Sequence, residues 1–163
     1  MVPMKKLSLT TRDLMTQALI AATYFGLTVV LSFMSYGDIQ FRISEFMLIL
    51  IFFNRKHSIG LILGTLLANL LSPLGIVDVF FGTLATTLVC AVLMHAKRPL
   101  AAMVWPGIIN AVVIGLELYW ILGLPLAMTM FTVFVGEFSV TFILSLFLLK
   151  PILRSKTLQR IFQ

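Results

Sequence analysis

The chain is poor in acid, poor in charge of any kind and almost without cysteine. Of its 163 residues only 6 are Asp or Glu, against 12 Lys or Arg, and charged residues make up 11% of the total. So few charges cannot clothe the surface of an ordinary water-soluble domain. A single cysteine, Cys90, excludes an intrachain disulfide and thiol-pair chemistry. No Gly-x-x-x-x-Gly-Lys-Ser/Thr loop is present, which excludes ATP hydrolysis by that route. His-Glu-x-x-His and Gly-x-Ser-x-Gly are missing as well, and both histidines, His57 and His95, fall in short loops between apolar runs. The residues point away from an enzyme. There is also no Ser/Gly/Pro-rich linker, low-complexity tract or solenoid-period repeat, so residues 1–163 read as one domain.

What the chain has instead is apolar length, with 60% of its residues hydrophobic. A helix needs roughly 20 apolar residues to cross the hydrocarbon core. Leu14 to Met34, Gly75 to Met94, Leu100 to Leu122 and Leu126 to Leu149 each meet that length. Two shorter runs, Ile43 to Phe53 and Ile59 to Leu71, flank the polar knot Asn54, Arg55, Lys56, His57 and Ser58, and read as two tilted or interrupted helices. The expected fold is an all-α integral membrane protein, a bundle of six transmembrane helices.

The basic residues give this bundle an orientation, because Lys and Arg in short loops stay on the cytoplasmic side. Lys5, Lys6 and Arg12 precede the first helix; Arg55 and Lys56 lie between the second and third, Lys97 and Arg98 between the fourth and fifth. Lys150, Arg154, Lys156 and Arg160 follow the sixth, so six helices place every one of these segments, and both termini, in the cytoplasm. Arg42 alone of the 12 falls outside. The formal charge of +6 therefore marks an inner membrane surface that favours anionic lipid, and nucleic acid is not an expected partner. The first helix is too long for a cleaved signal peptide and is expected to stay.

Ionisable groups within hydrocarbon cost several kcal/mol and are candidates for function. Asp13 belongs to the inner N-terminal segment, where it is expected to be a solvated charge beside Arg12 or a partner's base. Asp38, Glu45, Asp78, Glu117 and Glu137 lie in the outer half or near mid-depth, which implies a cavity opening outward. Arg42 and Glu45 are three residues apart and share a helix face, either as an anchoring ion pair or as ligand groups. Pro73 and Gly75 make an outer turn with Asn69 and Asp78 near its mouth; Asp78 alternatively caps the following helix. Asn110 and Glu117, seven residues apart, share another face, and Glu137 sits near the middle of the last helix, where the bland alternative is a bond between helices. Trp120 is placed either to stack on a planar ligand or to anchor the interface. Together Arg42, Glu45, Asn69, Asp78, Asn110, Glu117, Glu137 and Trp120 form the expected ligand site.

Small residues form a second pattern. Ala18, Ala22 and Gly26 recur every four residues on the first helix, as do Gly60, Gly64 and Ala68 on the third and Gly107, Ala111 and Gly115 on the fifth. Such stripes let another helix approach closely, within the bundle or, for the first helix, from a partner protein.

The segment Phe41-Arg42-Ile43-Ser44-Glu45, then Gly60-Leu61, then Asn69-x-x-Ser72-Pro73-x-Gly75-x-x-Asp78-x-x-Phe81-Gly82, resembles the queuosine precursor transporter (QueT) family. These are substrate-binding S-components of energy-coupling factor (ECF) transporters. The match runs from about Phe41 to Thr87, with Phe46 standing where a smaller residue such as alanine is expected. The resemblance implies a 7-deazaguanine substrate carrying a cyano or aminomethyl group, captured outside a bacterial cell and delivered inward. It also implies a transmembrane coupling subunit and two ATPase subunits, with no cofactor on this chain and ATP hydrolysed by those partners. Ala18 and Ala22, with Gly26 continuing the stripe, match the Ala-x-x-x-Ala surface that docks on the coupling subunit. An S-component for another vitamin-like substrate, a self-sufficient secondary transporter and a membrane anchor are the rival readings; the halves 1–80 and 81–163 show no similarity of the kind an inverted-repeat transporter carries.

Overall fold

The computed structural model describes residues 9–35, 41–157 and 160; Lys5, Lys6 and Asp38 lie outside them. Every regular element among the described residues is helical. In chain order these are α1 (Thr11–Val30), α2 (Ser32–Ser35), a 3₁₀ helix (Ile43–Phe52), α3 (His57–Asn69), α4 (Ile76–Met94), α5 (Pro99–Ala102), α6 (Trp105–Leu122) and α7 (Leu126–Phe138). A π-helical turn (Ser139–Ile143) then leads into α8 (Leu144–Arg154). Among the described residues, four stretches are long and apolar enough to cross a membrane: Thr11–Val30, Ile76–Met94, Pro99–Leu122 and Leu126–Ile152. They are the four full-length runs of the sequence. The 3₁₀ helix and α3 are apolar but shorter.

Local chemistry explains where the boundaries differ from the hydropathy pattern. α1 begins at Thr11 rather than Leu14, because Thr10 and Asp13 close a reciprocal capping box that satisfies orphan N–H groups at the helix start. Gly75 takes φ +58°, a left-handed conformation that costs glycine little, and opens α4 after the Pro73 turn. Asp78 therefore does not cap α4: it sits in the first turn, where it accepts a hydrogen bond from the Ser72 hydroxyl. The run Leu100 to Leu122 breaks between α5 and α6, where Pro106, without an N–H, is tolerated in the first turn of the new helix. The last run continues past Leu149, through Pro151, to Arg154.

The 3₁₀ helix is the least expected element. It runs for ten residues, although such helices seldom exceed one turn, and it rises about 2.0 Å per residue instead of 1.5. That lets a short segment cover more depth. Ser44, Glu45, Leu48, Ile49 and Ile51 are buried, so it lies inside the bundle. Leu48 and Ile51 join Ile20, Tyr24, Leu61, Val89, Cys90 and Leu93 in the main apolar core.

α1 packs on α3, α3 on α4, α4 on α6 and α6 on α7. Glycines set the closest approaches. A Cβ built at Gly60 would lie 2.7 Å from the Gln17 carbonyl oxygen, and one at Gly64 would lie 2.8 Å from Tyr24 Cβ, so α1 and α3 run parallel in near backbone contact. One at Gly115 would meet Met130 Cγ at 2.5 Å, and one at Gly107 would meet Phe138 at 3.3 Å, so α6 and α7 run antiparallel. The stripes on α3 and α6 thus pack the bundle internally.

This connectivity gathers Arg12, Lys56, Lys97, Arg98 and Arg154 at one end, with Arg42 toward the other. At the basic end Lys56 Nζ meets Asp13 Oδ2 at 2.7 Å. Asp13 is therefore paired with the loop before α3, 43 residues away, and not with Arg12 beside it. The outward-facing surface is apolar: Met15, Val30, Phe33, Ile76 and Phe147 are among many large exposed hydrophobic side chains. An apolar exterior around polar interior groups suits a lipid solvent.

Candidate functional site

Seven of the eight residues expected at the ligand site are buried in the bundle: Arg42, Glu45, Asn69, Asp78, Asn110, Glu117 and Glu137. Trp120 differs. It is 63% exposed at the end of α6, its ring 6.4 Å from that of Phe81 on α4. The buried seven come from five elements. Arg42 stands at the start of the 3₁₀ helix and Glu45 in its first turn; Asn69 ends α3, Asp78 opens α4, Asn110 and Glu117 share the inner face of α6, and Glu137 lies one residue before the end of α7.

The five charged groups form one connected interior. Arg42 lies within electrostatic reach of Glu45, Glu117 and Glu137. Glu45 also acts on Glu137, while Asp78 is the close acidic neighbour of Glu117. Four buried carboxyl groups thus share their surroundings with one guanidinium. Carboxylates held this way favour a cationic or multiply N–H-donating occupant, since burying unpaired charge of one sign costs several kcal/mol per ion.

Many of the polar atoms lack a hydrogen-bond partner. Both oxygens of Glu117, Oε2 of Glu45, Oε2 of Glu137, Nδ2 of Asn110 and both side-chain polar atoms of Asn69 are buried and unpaired. A native interior pairs the great majority of such groups, so a cluster of orphans at one place marks a site shaped for something else. Asn69 is held against bare backbone: a Cβ added at Gly82 would run into its amide nitrogen. Glycine there is needed for the approach.

The last helix is deformed beside this cluster. The Thr141 hydroxyl, 3.0 Å from the Met103 carbonyl and 2.8 Å from that of Glu137, sits within the π-helical turn that follows Glu137. Single π-turns of this kind are found disproportionately at functional sites.

Several buried polar groups in the seam beside these residues, outside the expected ligand site, were not singled out from the pattern of residues. Tyr24 on α1 donates from Oη to Glu45 Oε1 at 2.5 Å, and Thr28 and Ser44 share a hydroxyl hydrogen bond at 2.7 Å one turn further along α1. Thr65 lies beside Tyr24 and Thr86 beside Glu45. The available signal was period: Gln17, Ala21, Tyr24 and Thr28 fall on one face of α1, three of them polar in an otherwise apolar span.

On the opposite face of α1, Ala18 and Ala22 are exposed, and a Cβ added at Gly26 would find no atom within 4 Å. Unlike the stripes on α3 and α6, this one is not packed against another helix among the described residues.

The model of the QueT transporter family matches residues 14–154, which includes all of these groups. The chain belongs to the QueT transporter family. A curated relative, the queuosine precursor transporter QueT of Lactococcus lactis subsp. cremoris, is 34% identical over 149 residues, spanning 82% of this chain and 88% of the relative. No solved structure matches the chain. Membership makes this a membrane transport protein, and the buried polar interior is the feature of its fold that a transported molecule would require.

Proposed function

We propose that this chain is the substrate-binding S-component of an ECF importer in a bacterial cell membrane. It captures a queuosine precursor, a 7-deazaguanine such as the aminomethyl or cyano form, on the outer side and delivers it inward. Residues 1–163 act as one domain of six membrane passes, four long and two short, with both termini in the cytoplasm. The concentration of basic residues at one end of the bundle supports that orientation.

The observation that carries the reading is the set of buried polar atoms without partners, seen in a member of the QueT family. A guanine-like edge presents adjacent N–H donors that a carboxylate accepts in bidentate fashion, and an aminomethyl group adds a cation for a second carboxylate. Glu45 and Asp78 are assigned to those tasks, Asn69 and Asn110 to the remaining polar edges, Glu117 and Glu137 to the surrounding charge, Arg42 to its balance and Trp120 to stacking at the rim. None of these groups is asked to do covalent chemistry, so the chain is not an enzyme and needs no cofactor of its own. Energy comes from ATP hydrolysed by two ATPase subunits, transmitted through a transmembrane coupling subunit that docks on Ala18, Ala22 and Gly26. The exposure of Ala18 and Ala22, with open space at Gly26, supports the assignment.

The test is a binding panel on detergent-purified protein with 7-deazaguanine precursors, guanine, thiamine, riboflavin and biotin. Saturable binding of a deazaguanine at micromolar concentration or below, with guanine weaker, is the expected result. A vitamin that binds where no deazaguanine does overturns the substrate assignment and leaves the class standing. Uptake by the chain reconstituted alone, without coupling or ATPase subunits, overturns the class.

A further inference from the structure

Glu45 has one carboxyl oxygen committed within the bundle and the other left over. Its Oε1 accepts the Tyr24 hydroxyl at 2.5 Å, while Oε2 is buried with no hydrogen-bond partner. A carboxylate that served only to tie α1 to the 3₁₀ helix would be expected to satisfy both oxygens, because each orphaned charged oxygen carries a desolvation cost. The neighbouring bond already makes the tie. Thr28, one turn along α1 from Tyr24, shares a hydroxyl hydrogen bond with Ser44, the residue before Glu45, at 2.7 Å, and donates to the Tyr24 carbonyl at 2.9 Å. Tyr24 and Thr28 thus grip two successive residues in the first turn of a 3₁₀ helix, a turn with poorer backbone hydrogen bonds than an α-helix.

Tyr24 is itself fixed. It is fully buried, and the absence of a side chain at Gly64 is what lets α3 close on its Cβ. A rigid phenol with two side-chain dihedrals, donating one short bond, is suited to hold a partner group in one orientation.

We propose that Tyr24 is a positioning residue for substrate recognition: by occupying Oε1 of Glu45 it orients the carboxylate so that Oε2 alone faces the substrate. This rests on the reading of the buried cluster as the substrate site. The side chain does not touch the ligand; it acts through Glu45. A Glu45 released from Tyr24 rotates among several rotamers, and the ligand must then order it on binding.

The experiment is a double-mutant cycle on the full-length purified protein, with 7-aminomethyl-7-deazaguanine as the titrant and Tyr24→Phe, Glu45→Gln and the double variant compared with wild type. Tyr24→Phe keeps the ring and removes only the hydroxyl; it is expected to weaken binding about 10-fold, in the range of one lost hydrogen bond to a charged group. In the Glu45→Gln background the same change is expected to cost less than about 2-fold, because the group it orients has lost its charge. Thr28→Val, which removes the neighbouring bond of the same seam, is the control for loosened packing and is expected to leave the dissociation constant within about 2-fold while lowering the melting temperature. Equal losses for Tyr24→Phe in both backgrounds, or a loss for Thr28→Val as large as that for Tyr24→Phe, would show that the tyrosine only holds helices together and overturn the proposal. Failure of the wild-type protein to bind any deazaguanine overturns the substrate reading and this inference with it, and that outcome is read from the wild type alone.

Discussion

The two faces of α1 are built on opposite principles. The inner face carries Gln17, Tyr24 and Thr28, all buried and each hydrogen-bonded to another element: Gln17 to the His57 ring at 3.1 Å and the Gly60 N–H at 3.2 Å, Tyr24 to Glu45 and Thr28 to Ser44. The outer face carries Met15, Ala18, Leu19, Ala22 and Val30, all exposed, with no side-chain hydrogen bond among them. In water this would be an inside-out helix. In lipid it is economical, because polar groups are satisfied only within the protein and apolar groups lose nothing by facing out. The same 20-residue helix therefore secures the polar interior on one side and, on the proposed reading, offers a flat surface to a partner on the other.

The sharpest way to break the contrast is to add bulk on each face in turn. Gly64→Val drives a side chain into Tyr24 Cβ and the Ala21 carbonyl, neither of which can swing away, and is expected to destabilise the bundle by about 3 kcal/mol or more. Gly26→Val meets open space and is expected to leave the folded yield unchanged. Size-exclusion profiles and thermal unfolding in detergent compare them; equal damage from both would erase the distinction between the faces. Next in size is Glu45→Gln, which keeps the shape and removes the charge. It is expected to weaken deazaguanine binding about 10- to 100-fold by titration calorimetry, with the fold intact.

A smaller effect follows from Gln17→Ala. The substitution orphans the Gly60 N–H and removes the bond to His57, and is expected to cost about 1–2 kcal/mol of stability without altering ligand affinity. Asp13→Asn should have the smallest effect. Its bond to Lys56 lies at the solvated end of the bundle, so melting temperature and uptake are expected to stay close to wild type, and any difference should shrink with added salt.

How much of this could be read from residues alone depended on which physical effect set each feature. Hydropathy over about 20 residues is set by the bilayer, and the four long spans followed from it. Burial of Arg42, Glu45, Asn69, Asp78, Asn110, Glu117 and Glu137 followed from the cost of charge and amides in hydrocarbon. The 3₁₀ form of Ile43–Phe52 did not, because a run apolar on every side has no period to distinguish one helix type from another. Asp13 reads from sequence as a solvated charge beside Arg12 or a partner's base and instead pairs with the loop before α3, since the parallel packing of α1 on α3 brings Lys56 within reach. Tyr24 was hidden for a similar reason. Its hydroxyl matters through Glu45, 21 residues away, and no local pattern joins them. Nor did any motif foretell the π-turn beside Glu137, within which Thr141 meets the Met103 carbonyl, 38 residues away.

The division of α1 into a face that secures the substrate site and a face that meets a partner is tested most directly by Ala18→Trp, with ligand binding to the purified chain and uptake by cells expressing the whole transporter measured side by side. Binding within about 2-fold of wild type together with loss of uptake is the predicted result, since the indole adds bulk only to an exposed face. Normal uptake, or binding lost along with it, would contradict the account.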